Sequence, residues 1–147
     1  MYDFLAHFHS GWRWVLLALL VGALVNSLLK WRRGAAFEPG DLKLNLYAMS
    51  AAHLQLIVGF ALYFISPKVQ FTAGFMKDPF LRFYAMEHLV MMLAAIALIT
   101  IGYVKSKRSA TDSDRFRLGF RYFLAALLAL LAGIPWPFRT ELGAGWF

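Results

Sequence analysis

Four long apolar stretches alternate with short connections rich in basic residues or proline. The first covers residues 12–29 and ends at Lys30-Trp31-Arg32-Arg33. The second covers 44–65 and stops at Ser66-Pro67. The third runs over 80–104, between Asp78-Pro79 and Lys105-Ser106-Lys107-Arg108, and the fourth over 118–134, before Pro135-Trp136-Pro137. Each is close to the roughly 20 residues that carry an α-helix across a bilayer. An open sheet would strand backbone groups in lipid, so the pattern predicts helices. The expected fold is an all-α integral membrane protein: one domain over 1–147, folded as an up-down bundle of four transmembrane helices with sequential neighbours in contact.

Composition agrees with the pattern. The chain is 61% hydrophobic and only 16% charged, against about 45–50% and about 25% for a typical soluble domain. Cysteine is absent, which excludes disulfides, thiolate metal sites, iron–sulfur clusters and covalently attached c-type haem. The formal charge of +7 does not call for nucleic acid, because its distribution has another explanation. Ten of the fifteen lysines and arginines flank the first-to-second and third-to-fourth connections. The other five (Arg13, Lys68, Lys77, Arg82, Arg139) fall on the opposite side. That is the positive-inside asymmetry, and it places both termini outside, on the periplasmic face of a bacterial cytoplasmic (inner) membrane. Trp12, Trp14, Phe80, Tyr84, Trp136 and Phe138 would form the outer aromatic belt, with Trp31, Tyr47 and Tyr103 at the inner one. The first span lacks a basic segment before it and is longer than a signal-peptide core, so it reads as a retained helix.

Candidate chemistry lies in the few ionisable residues inside the spans: His53 in the second, and Glu87 and His88 in the third, with His9 and Arg13 at the mouth of the first. Such residues are costly in hydrocarbon and default to a functional reading. At about 1.5 Å per residue, His53 lies roughly 14 Å from the inner face and His88 about 12 Å from the outer one. Two imidazoles at similar depth on consecutive helices suit axial ligation of one haem b. Arg13 and Arg82, within about 6 Å of the outer face, would meet its propionates. Met49 and Met92, one turn from the two histidines, would pack on the macrocycle or replace an axial ligand. The plainer alternative is that His53 hydrogen-bonds across helices to Asn26, Ser50, Gln55 or Glu87.

His9 is a reserve ligand for His88, or a propionate or quinone contact. Its expected depth differs from that of His88 by about 12 Å unless the first helix begins deeper. His7 reads as a solvated interfacial residue. Glu87 reads as a support, paired with an arginine or bonded to a histidine ring, ahead of a proton relay. A haem-free metal site from His53, Glu87 and His88 is disfavoured, because adjacent helical residues point about 100° apart. No phosphate loop, nucleophile elbow or HExxH motif is present, so hydrolase, kinase and nucleotide-driven transport have no basis.

The chain resembles a family of small four-span bacterial membrane proteins loosely labelled cytochrome-b-like. The resemblance rests on His9-Ser10-Gly11-Trp12-Arg13-Trp14, His53-Leu54-Gln55 followed by Gly59 and Leu62-Tyr63, Arg82-Phe83 with Glu87-His88, and Pro135-Trp136-Pro137. It implies a four-helix redox or respiratory accessory protein that works with other membrane subunits. The leading expectation is therefore a b-type cytochrome that carries electrons without bond chemistry of its own. It would hold one haem between His53 and His88, with quinone as a further cofactor candidate. Two other classes stand beside it: a haem-free structural or assembly subunit, and a small proton or solute pathway through Glu87 and the histidines.

Overall fold

The computed structural model describes residues 1–146, and among them it is entirely helical, without strands. Four helices dominate: α1 (Tyr2–Arg32), α2 (Pro39–Ile65), α3 (Pro79–Arg108) and α4 (Asp112–Gly133). Each is long and apolar enough to cross a membrane. Every predicted span corresponds to one of them, and the largest boundary difference is at the start of α1. That helix begins ten residues before position 12, because no proline or helix-ending glycine interrupts residues 2–11 and Asp3 favours its first turn. Its 31 residues rise about 46 Å, well beyond a hydrocarbon core of about 30 Å.

The other helix starts are set by local hydrogen bonding. Glu38 and Asp41 form a reciprocal capping box at α2, with Pro39 at its first turn. The Asp78 carboxylate accepts from the amides of Phe80 and Leu81 at 2.8 and 3.0 Å to start α3. Thr111 caps α4 by accepting from the Asp114 amide at 3.1 Å.

Each helix packs on its sequence neighbour, and α4 returns to α1 to close the ring. Two glycines let α3 and α4 approach closely. A Cβ at Gly102 would lie 2.6 Å from Tyr122 Cβ, and one at Gly133 would lie 2.8 Å from Met91 Cβ. Along the bundle axis the interior has three zones. The middle is apolar, with Leu20, Ile99 and Phe123 fully buried among Ala23, Ala48, Ala52 and Ala126. At the end bearing the connections 33–38 and 109–111, Ser27, Asn45 and Ser106 are buried, and all three approach Gly119. Just beyond them Asp41 accepts from Asn26 and from the Glu38 amide, and pairs with Lys30 at 2.9 Å. The third zone, at the end carrying both ends of the described chain, holds a cavity.

Candidate functional site

The cavity has a volume of about 260 Å³, against the ~10–15 Å³ that one water needs. It is therefore much larger than the site of a single water. Its walls are mostly apolar, with Leu16, Leu56, Met92, Ile96 and Leu130 among them. Its polar groups include His9, Arg13, Gln55 and His88, while Tyr2, His7, Lys68 and Tyr84 contribute further towards the chain termini. Few placed polar groups in an apolar concavity are what a small-molecule or cofactor site requires.

His9 and His88 face one another there, with ring centroids 6.3 Å apart and ring planes at 70°. The early start of α1 explains why. The first turns of the helix carry His9 into the bundle instead of leaving it at the surface, which removes the depth difference expected from a span beginning at residue 12. Helical spacing then puts Arg13 on the same face as His9, one turn further in.

The orientation of His88 follows from the sequence at the end of α4. Prolines at 135 and 137 have no N–H, so the carbonyls of Leu131 and Gly133 lose their normal donors four residues on. Trp136 Nε1–H donates to the first at 2.8 Å. His88 Nδ1–H donates to the second, also at 2.8 Å. A carbonyl can only accept, so this bond fixes the neutral tautomer of His88 and leaves its Nε2 with a free lone pair. The π turn Phe83–Glu87 directly precedes this residue. Tyr63 reaches from α2 to donate to the Ala85 carbonyl within the turn, at 2.8 Å. Such turns re-aim the side chains that follow them.

His9 is held differently. Its Nδ1–Cε1 edge lies over Gly59, where a Cβ would stand 3.2 Å from Cε1. Gln55, one turn earlier on α2, donates from Nε2 to the His9 backbone carbonyl at 2.9 Å. Arg13 is buried without a carboxylate partner among the described residues. One amine donates to the Trp146 carbonyl at 2.7 Å, the guanidinium lies near the Trp14 and Trp136 rings, and Nε is buried and unbonded. A guanidinium beside a cavity can pair with a negatively charged group of a bound molecule.

The structure separates the remaining expected site residues from this cavity. His53 does not share a site with His88: its Nε2 lies 3.0 Å from Thr100 Oγ1. Thr100 is twelve residues beyond His88 on the same helix, about 18 Å along the axis. Because Thr100 already donates to the Ile96 carbonyl at 2.8 Å, His53 Nε2–H is the donor in the pair. The depth match between His53 and His88 failed because each was counted from the edge of its own span, and α3 is longer than the core is thick. Arg82 is likewise not near the cavity group. It pairs with Glu87 at 2.6 Å and donates to the Met76 carbonyl, with both side chains about 40% exposed. Glu87 is thus an arginine partner and reaches neither histidine. Met92 lines the cavity and Met49 does not.

Among the described residues, no three His, Cys, Asp or Glu side chains gather to hold a metal ion. The donor set is two opposed imidazoles and a cation, which fits a metal already held in a planar anionic chelate. Comparison with protein-family models, with characterised proteins and with solved structures finds no match to this chain.

Proposed function

We propose that this chain is a membrane electron-transfer protein that holds one b-type haem between His9 and His88. The observation that carries the proposal is the imidazole pair across the cavity, with His88 locked by Gly133 into the tautomer an axial ligand needs. A haem held there would supply reversible one-electron chemistry. The protein residues do the rest. His9 and His88 present ring nitrogens, Arg13 offers charge to a carboxylate, and Leu16, Met92, Ile96 and Leu130 exclude water. An apolar shell of this kind tunes potential.

The charge asymmetry supports an orientation with the cavity at the outer face of a bacterial cytoplasmic membrane. Leu20, Ile99 and Phe123 close the interior beyond it. That arrangement favours exchange with a quinol or a neighbouring redox subunit at one face over conduction of protons or solutes. It gives a single site, so crossing the whole membrane would require partner subunits.

The test is an optical spectrum of the detergent-extracted protein after expression with ample haem. A Soret band and a sharp reduced α-band are expected. Both should vanish in His9→Ala and in His88→Ala and persist in His53→Ala. Absence of both bands from the wild-type protein would overturn the proposal.

A further inference from the structure

We infer that Gln55 is a positioning residue for His9: its side-chain carbonyl accepts the His9 Nδ1–H and thereby leaves His9 Nε2 unprotonated, with its lone pair towards the cavity. The inference rests on the reading of His9 as a ligand but predicts a property of the protein that exists without any cofactor.

The argument begins with two orphans. His9 Nδ1 and Gln55 Oε1 are both buried and both without a hydrogen-bond partner. Buried polar atoms are seldom left so, and each unpaired one calls for an explanation. The orientation of the Gln55 amide is not free. Its nitrogen faces the His9 backbone carbonyl at 2.9 Å, and a carbonyl oxygen in that place would repel. The amide oxygen is therefore the remaining group, and it can only accept. Gln55 and Gly59 lie one turn apart on α2, and Gly59 sits against the Nδ1–Cε1 edge of the same imidazole. The orphaned acceptor and the orphaned ring nitrogen thus belong to side chains already joined through the His9 backbone. Turning the His9 ring about its terminal torsion, which is broad, would bring Nδ1 towards that oxygen while the Gln55 amide keeps its bond to the His9 carbonyl.

The consequence mirrors the other side of the cavity. His88 has Nδ1–H on the Gly133 carbonyl; His9 has Nδ1–H on the Gln55 amide oxygen. Both rings then direct an Nε2 lone pair inwards. An acceptor on the far nitrogen also raises the basicity of a ligating imidazole. Neither arginine nor lysine takes this role, since neither offers an acceptor.

The first experiment needs no haem. Nitrogen-15 NMR of ring-labelled protein in detergent, with His9 assigned by its substitution, reads the tautomer directly. Neutral His9 should be mainly the Nδ1–H form in the wild type, should keep that form in Gln55→Glu, and should lose it in Gln55→Leu. A mainly Nε2–H wild-type ring, or the same tautomer in wild type and Gln55→Leu, overturns the inference. The second reads the haem-loaded protein: the reduction potential should fall in Gln55→Glu, where the acceptor is charged, and rise in Gln55→Leu. A potential that moves identically in both variants overturns it as well. If the wild type takes no haem, the proposed function fails while the tautomer measurement still decides the role of Gln55.

Discussion

At one end of the bundle the Asp41 carboxylate is met by Lys30, by Asn26 and by the Glu38 amide. At the other, Arg13 and Gln55 are buried to a similar degree, 8% exposed each against 4% for Asp41, yet each keeps an atom with nothing to bond. Three of the five such orphans among the described residues (His9 Nδ1, Arg13 Nε and Gln55 Oε1) belong to side chains around the cavity, while Asn45 Oδ1 and Arg117 Nε lie towards the Asp41 end, outside its bonded network. The contrast separates two uses of buried polarity. A network closed by its own partners joins helices, as polar residues in membrane bundles commonly do. A network left open beside a cavity offers its unpaired groups to a bound molecule.

The largest effect that would test this contrast is at the closed end. Asp41→Ala removes the acceptor for Asn26 and for the Glu38 amide, and leaves Lys30 with Glu38 as its remaining partner. A loss of about 2–4 kcal/mol is expected, since a buried charged acceptor with several donors is withdrawn. Reversible unfolding in detergent measures it, while the optical spectrum of the folded fraction should not change. A spectrum altered as much as the stability would dissolve the distinction between the two ends.

Arg13→Gln is the matching change at the open end, and the roles of stability and binding should invert. The fold loses a guanidinium that has no carboxylate partner among the described residues, so the apoprotein should change by less than about 1 kcal/mol. Haem affinity should fall about tenfold or more, as one charge-assisted contact to a carboxylate disappears. Titration with haem and unfolding of the apoprotein measure the two quantities on one sample. A strongly destabilised apoprotein with unchanged affinity would make Arg13 a structural residue.

The sequence made the four helices legible because apolar runs of membrane length, bounded by Pro and by Lys/Arg clusters, leave one solution for the backbone. Half of the imidazole pair was legible as well. His88 stood out as an ionisable residue inside a span, and Arg13 as a cation near its mouth. His9 was weighed only as a reserve because hydropathy marks where lipid begins, and helix α1 continues past that point with polar residues on it. Gln55 was weighed only as a partner for His53, because the role of a neutral amide depends on which residue faces it. The Gly133 contact was readable in principle, since Pro135-Trp136-Pro137 fixes two carbonyls without helical donors. What it cannot give is the register between α3 and α4 that brings His88 to one of them. Register is a property of packing, and between α3 and α4 the close approaches at Gly102 and Gly133 constrain it.

His53 offers the smallest and most discriminating measurement. If its bond to Thr100 is only a tie between α2 and α3, His53→Ala and Thr100→Val should each cost about 0.6 kcal/mol beyond any change in packing, the average for side-chain hydrogen bonds inside membrane bundles. The double variant should cost less than the sum of the two, because either one alone already breaks the bond. Neither should move the Soret band, the haem affinity or the His9 tautomer, since the tie lies about 18 Å along α3 from His88. Loss of the spectrum in Thr100→Val would show instead that the tie holds the α2–α3 register on which the distance between His9 and His88 depends. That outcome would join the closed interior to the open site through a single hydrogen bond, and the two ends would no longer be independent.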